Sequence, residues 1–228
     1  MDRDEGSIGG LKSPLQPTRQ LIYVSLAMDC LALILGFFVS IYFVLAAFVY
    51  ILASRAYSAR SVRLKKYPVA GFLTVVICQG ALVFFMVYHG SHSILSLHVP
   101  ALGMISASLL IGGFYPLTQI YQHEADARDG VRTISAQLGL RGTFIFCGIV
   151  YGIAFATLAF FFLSSLEIKE FLVFTTSMLP VLVYFIVWAV QVWRDPSKAD
   201  YRHTMRMNSV ASLCSSVGFV LVFLMQYL

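Results

Sequence analysis

Hydrophobic and polar residues in this chain are arranged in long blocks. From Leu21 onward, seven predominantly apolar runs, at about 21–37, 39–56, 68–89, 98–121, 141–164, 170–193 and 207–227, are separated by short polar connections. Each run is close to the roughly 20 residues with which an α-helix crosses the hydrocarbon of a bilayer. The pattern therefore predicts an all-α, polytopic membrane bundle of about seven transmembrane helices. Residues 1–19, MDRDEGSIGGLKSPLQPTR, hold no apolar run of that length and carry Gly9, Gly10, Pro14 and Pro17, so they read as a loop. The charged start, Asp2 to Glu5, has no apolar stretch of the secretory type behind it.

Composition agrees. Hydrophobic residues make up 59% of the 228 and charged residues 12%, against about a half and a quarter in soluble domains; mean hydropathy is +0.81. The net charge of +5 belongs with a membrane surface and not with nucleic acid, because the basic residues border apolar runs and form no patch interleaved with aromatics. Cys30, Cys78, Cys147 and Cys214 lie singly inside apolar runs, which argues against a disulfide framework or a zinc site.

Seven alternating spans sort the basic residues sharply. Fifteen of the 16 Lys and Arg fall on one face, leaving only Lys169 on the other. By the positive-inside rule the basic face is cytoplasmic. One helix more or fewer would scramble the sorting, so the asymmetry supports the count. The same face receives Asp2, Asp4, Glu5, Glu124, Asp126, Asp129, Asp195 and Asp200. Acids and bases gathered together suit an anion held with a metal. The opposite connections, near Phe38, at HGSHSILSLH and at LSSLEIKE, are nearly uncharged, and His89, His92 and His98 there read as interfacial residues.

The most polar stretch within the spans is Tyr115 to Leu140, YPLTQIYQHEADARDGVRTISAQLGL. Tyr115, Gln119, Gln122 and Asp126 fall at steps of four, three and four, one face of a helix, with Glu124 and Asp129 nearby. A charged helix end leaving a membrane needs no function. Gln119 and Gln122, however, carry the stripe toward the bilayer, where uncompensated polar groups are costly. Gly130 to Thr133 predicts a turn that ends one helix and caps the next. The carboxylate clusters at Asp2 to Glu5 and at Glu124 to Asp129 suit Mg2+, which takes oxygen ligands and bridges carboxylates to phosphates. In the loop YSARSVRLKKYP, Tyr57 to Pro68, Arg63 offers a fork and Lys65 a point charge to a diphosphate. Arg55, Arg60 and Lys66 read as positive-inside anchors.

These segments carry a family resemblance. DRDEGSIGGLK, YSARSVRLK and YQHEADARDGVRTISAQLG together resemble the UbiA superfamily of membrane-embedded aromatic prenyltransferases. Asp126, Gly130, Arg132 and Thr133 match the second aspartate-rich motif of that family, D-x-x-x-D-x-x-x-G-x-R-T-L, with Gln122 in place of the first Asp. Tyr57, Ser58, Arg63, Leu64 and Lys65 match its Tyr-Ser loop, while Asp2 and Asp4 resemble the tail of its first motif, N-x-x-x-D-x-x-x-D, whose Asn would precede Met1. The family fold has nine membrane helices, so the resemblance implies a member lacking the two spans before the first motif.

The resemblance also implies one UbiA-like membrane domain over residues 1–228, with residues 1–20 as the first-motif loop and 57–67 and 122–140 as cytoplasmic active-site loops. It implies transfer of an isoprenyl group from a prenyl diphosphate to an aromatic or otherwise lipophilic acceptor, at a multi-pass site in a cell inner membrane. Asp2, Asp4 and Asp126 would be the catalytic carboxylates, holding Mg2+ with help from Gln122 or Glu124; Arg63, Lys65, Tyr57 and Arg132 would bind the diphosphate. No feature of the chain calls for an obligate protein partner. The competing reading is a non-catalytic relative or a small transporter, which Gln122 in place of Asp and the missing opening helices favour and the basic diphosphate loop and second motif disfavour; an odd span count without an inverted repeat further disfavours a transporter. Asp29, an ionisable residue inside the first span, is either functional or paired with another helix, and His123 is a minor candidate.

Overall fold

The computed structural model describes residues 18–59 and 61–225. These form seven helices long and apolar enough to cross a membrane: α1 (Arg19–Gly36), α2 (Ile41–Ser58), α3 (Pro68–Ser91), α4 (Ala101–Arg128), α5 (Ile134–Ser164), α6 (Ile168–Arg194) and α7 (Tyr201–Met225). The described residues contain no strand. The seven expected spans are therefore present, and the chain is an all-α polytopic bundle.

Local chemistry places the boundaries. Ser40 caps α2, its hydroxyl accepting from the Phe43 N–H at 3.1 Å. Pro68 opens α3 at the position where a missing N–H costs nothing. Helices α5 and α7 begin earlier than apolarity predicts, at Ile134 and Tyr201 instead of about 141 and 207. Their first turns, ISAQLGL and YRHTMR, are polar, and capping starts them: Thr133 accepts from the Ala136 N–H at 3.2 Å and Asp200 from the His203 N–H at 2.8 Å. A helix extending beyond the hydrocarbon is invisible to a search for apolar runs.

Helix α4 lies at the centre, packed along α5 on one side and α3 on the other. At the α3 contact the helix widens into a π segment, Val76–Leu82, and Gly80 lies against the backbone of Ser108 in α4. The core that holds α4 to α7 comprises Leu117, Ile120, Phe144, Cys147, Val181, Trp188, Val192 and Met207. Trp188 is buried, and its indole N–H donates to the Lys198 carbonyl at 2.8 Å, closing the connection between α6 and α7. His89, expected to be interfacial, is instead buried, bridging Ser40 at 2.6 Å and the Ser96 carbonyl at 3.0 Å.

Asp29 in α1 is paired with Arg55 in α2, whose Nε donates to Oδ2 at 3.1 Å and whose Nη2 also reaches the carboxylate. The same Nη2 donates to the Ser25 hydroxyl at 2.8 Å. Arg55 is thus more than the positive-inside anchor expected of it: it points back along α2 to neutralise a carboxylate inside the span. Asp29→Ala is expected to destabilise the α1–α2 pair by about 1–2 kcal/mol, less than an unpaired charge at mid-bilayer because Arg55 sits near a helix end and can reach the interface. Exchanging the charges, Asp29→Arg with Arg55→Asp, should recover most of the loss in a thermal melt of purified protein. A single variant as stable as the parent would mean that the pair contributes nothing.

Candidate functional site

Helices α2, α4 and α6 end, and α3, α5 and α7 begin, at one end of the bundle, and side chains connect these termini. Arg141 of α5 donates to the Trp193 carbonyl of α6 at 3.1 Å, and the rings of Tyr121 and Tyr201 meet edge to face at 5.3 Å. Arg63, in the loop after α2, donates to the Asp129 carbonyl at 3.2 Å and to its carboxylate. Arg63 holds this position with φ +47°, a left-handed conformation costly for a residue with a Cβ.

The end of α4 is not one continuous α-helix. Pro116 lies inside it and cannot donate to the Gly112 carbonyl; the chain then tightens into a 3-10 turn at Ile120–Gln122 before resuming at His123–Arg128. The tightening rotates the expected polar stripe. Gln119 is buried, Gln122 and Asp126 are half-buried, and Glu124 is exposed. Gln122 donates its amide N–H to the Tyr121 hydroxyl at 3.0 Å.

The turn after α4 forms as its sequence predicts. The Val131 N–H bonds the Asp126 carbonyl at 2.8 Å and the Gly130 N–H the Ala127 carbonyl at 3.2 Å, the paired bonds of a Schellman ending, with Gly130 at φ +66°. Val131 is buried beneath the turn. This ending fixes the backbone of Asp126 through its carbonyl.

Two residues not anticipated from the sequence tie this turn to α5. His123 Nε2 lies 2.8 Å from the Ser135 hydroxyl, which lies 3.0 Å from the Thr143 hydroxyl, and Thr143 donates to the Gly139 carbonyl at 2.8 Å. Ser135 and Thr143 are fully buried. They meet because Gly139, at φ +70° and ψ 175°, breaks the helical path between them. The only hint in the sequence is a glycine between two small hydroxyl residues.

Deeper in the bundle, the Tyr57 and Tyr115 hydroxyls are hydrogen-bonded to each other. The Tyr115 ring stacks on Phe72 at 6.5 Å, and Phe146 packs edge-on against Phe72 at 5.6 Å. The Tyr115 hydroxyl also interacts with the side chain of Gln119 and lies within electrostatic reach of Asp126. In the last connection at this end, hydrogen bonds from Ser197 hold the exposed Asp195 carboxyl below its ordinary range. For Asp200, burial pushes upward, but hydrogen bonds from His203 outweigh it and the net shift is down.

Of the residues predicted from sequence, the structure thus joins Tyr57 to α4 and Arg63 to Asp129. Lys65 is half-buried in the 3-10 turn Leu64–Lys66 that leads into α3. Arg132 and Glu124 are on the exposed side of their turns. Asp2, Asp4, Glu5 and Arg60 lie outside the described residues. Among the described residues no three His, Cys, Asp or Glu side chains group closely enough to hold a metal by themselves. Asp126 and Gln122, one turn apart, offer a carboxylate and an amide oxygen. Such a donor set fits Mg2+, which commonly keeps waters and takes one or two carboxylates together with substrate phosphates.

Fold and site together define a multi-pass membrane protein with its polar and ionisable chemistry concentrated at one end of an apolar bundle. The UbiA prenyltransferase family matches residues 10–210, and the chain belongs to that family. Membership makes it, in general terms, a membrane prenyltransferase, and the family in general uses Mg2+, a prenyl diphosphate and a lipophilic acceptor. Comparison with curated proteins and with solved structures returns no match.

Proposed function

We propose that this chain is a single membrane domain that transfers an isoprenyl group from a prenyl diphosphate to an aromatic or other electron-rich lipophilic acceptor. The observation that carries this reading is the contact between the loop after α2 and the end of α4, where Arg63 meets Asp129 close to Asp126. That contact puts cations suited to phosphate beside carboxylates suited to a metal, above an apolar bundle. The strongly one-sided Lys and Arg distribution supports a cytoplasmic position for residues 1–20, 57–67 and 122–140, as in a bacterial inner membrane.

In this reading Lys65 and Arg63 bind the diphosphate oxygens, with Arg63 shared between substrate and Asp129, and Tyr57 and Arg132 border them. Asp126, Gln122, Glu124 and, from the first loop, Asp2 and Asp4 are the residues that would hold Mg2+, which when bound would neutralise charge on the diphosphate. The allylic carbon–oxygen bond breaks with its electron pair leaving on the diphosphate. The rings of Phe72 and Tyr115 offer π faces to the resulting cation. The acceptor carbon then bonds to the allylic carbon, and its proton passes to the released diphosphate, restoring the aromatic ring. Fixed cations and carboxylates placed where charge develops are the main source of rate in such a step.

The test is transfer by membranes containing the protein, supplied with radiolabelled prenyl diphosphates of several lengths and a lipid extract as acceptor source, with and without Mg2+. The expected result is a lipophilic product that requires Mg2+ and disappears on chelation. No product with any donor, from protein shown to be folded and inserted, would favour a non-catalytic relative or a small transporter.

A further inference from the structure

We infer that the seam between α5 and α6 holds one anionic diacyl phospholipid, its chains along the two helices and its phosphate at Arg141 and Arg194. None of the residues proposed to bind diphosphate or Mg2+ lines this seam, and binding there does not depend on the transferase reading. An open groove of about 420 Å3 runs along α6, lined by Phe185, Ile186, Ala189, Val190, Trp193 and Arg194. It borders α5: the Phe185 and Trp193 rings lie 5.7 and 6.2 Å from that of Phe144. Phe185 to Arg194 is about 14 Å along a helix, close to half of the roughly 30 Å of bilayer hydrocarbon, the depth of one leaflet. Helix α5 carries a matching stripe. Ile145 and Ile149 are exposed one and two turns from Arg141, as Val190 and Ile186 are from Arg194. Two apolar stripes of equal height, each ending in an exposed Arg, fit the two chains of a diacyl lipid better than a single tail.

An Arg at the end of a span is ordinarily an anchor that reaches into water, and Arg194 also complements the dipole of α6. Arg141 departs from that pattern. Its Nη2 donates to the Trp193 carbonyl at 3.1 Å, which holds the guanidinium at the mouth of the groove, against the peptide that joins Trp193 to Arg194. The described ion pairs join Asp29 to Arg55, Asp129 to Arg63 and Asp200 to His203, and neither Arg141 nor Arg194 enters them. The neighbouring acid, Asp195, accepts from the Ser197 N–H at 3.0 Å and lies in the field of Lys198. Two cations gathered without a carboxylate repel each other, and an anion shared between them removes that cost. The remaining N–H donors of a guanidinium suit phosphate oxygens. Half-buried Trp193 supplies an amphipathic ring at headgroup level. Basic pockets between helices at a membrane face are where anionic headgroups dock.

Trp193 itself reports occupancy. The chain has 2 Trp; Trp188 is buried in the core, and subtracting the signal of Trp193→Phe isolates Trp193. The protein is placed in phosphatidylcholine nanodiscs containing a minor fraction of phosphatidylglycerol or of phosphatidylcholine with brominated acyl chains, which quench tryptophan fluorescence on contact. Brominated phosphatidylglycerol should quench Trp193 at about a twentyfold lower fraction than brominated phosphatidylcholine, roughly fivefold for each Arg. Arg141→Gln with Arg194→Gln should be quenched equally by both lipids. Arg141→Lys with Arg194→Lys, which keeps the charge, should retain most of the preference. Arg202→Gln with Arg206→Gln removes the same charge from the exposed face of α7 and should leave the preference intact. Equal quenching by the two lipids in the parent, or a preference that survives in the Gln pair at the groove, would overturn the site. Equal loss in the α7 pair would reduce it to a diffuse surface potential, and equal loss in the Lys pair would leave Arg141 and Arg194 a structural role only. Relief of the quenching by added farnesyl diphosphate would assign the groove to a prenyl diphosphate and overturn the phospholipid.

Discussion

Asp126→Ala should abolish prenyl transfer, lowering kcat/KM by at least about a thousandfold, the scale on which preplaced charge at a reacting centre operates. The substitution should leave the fold intact. Asp126 is half-buried at the bundle end, and its backbone carbonyl, which the substitution keeps, closes the turn with Val131. A variant that melts with the parent yet makes no product would place the defect in the chemistry. Asp126→Asn should be nearly as inactive, because an amide oxygen coordinates but carries no charge against the diphosphate. Glu124→Ala should cost little by comparison, since Glu124 faces outward. Gln122→Asp, which restores a carboxylate one turn before Asp126, should lower the Mg2+ concentration needed for half-maximal rate. Full activity in Asp126→Ala would remove this end of α4 from the reaction.

The number and order of the spans were legible because the bilayer imposes one simple requirement, a long apolar run, and seven runs satisfy it. The same requirement hides what is polar and still helical, which is why the first turns of α5 and α7 emerge only with their caps, Thr133 and Asp200. Around the site, local chemistry was readable and long-range pairing was not. Gly130 at the end of α4 announces its turn through the need for a left-handed residue. Nothing in the sequence around Arg63 says that its partner is Asp129, 66 positions away. The spacing of Tyr115, Gln119, Gln122 and Asp126 assumes an unbroken helix, and the 3-10 turn at Ile120–Gln122 shifts the later residues around the axis. Asp29 and Arg55 illustrate the same limit: each is identifiable as a charge in or near a span, but only the antiparallel packing of α1 on α2 shows that each is the other's partner.

The support of α4, and through it of Asp126, rests on a contact that tolerates no side chain. A Cβ built on Gly80 would lie 2.4 Å from Ser108 Cα and 2.7 Å from Ser108 N. These are backbone atoms, so no rotamer change relieves the overlap, and α3 and α4 would have to separate. In a membrane, helices are held by close packing and polar contacts, because lipid is as apolar as the side chains it would replace. Separation therefore forfeits much of what holds this pair. Gly80→Leu should lower stability by at least the roughly 3 kcal/mol of severe overpacking, corresponding to a fall in Tm of about 10 °C for a protein of this size. Transfer should fall with it, since α4 carries the site. Ser108→Gly should not rescue the variant, because the clash is with main chain as well as with the serine side chain. Gly152→Ala is the control: no atom lies within 4 Å of its Cβ position, and in a helix the change should be neutral or stabilising by up to about 1 kcal/mol. If Gly80→Leu and Gly152→Ala melt alike, the approach of α3 to α4 is not what holds the end of α4 in place, and the positioning of Asp126 must rest instead on α5 through His123, Ser135 and Thr143.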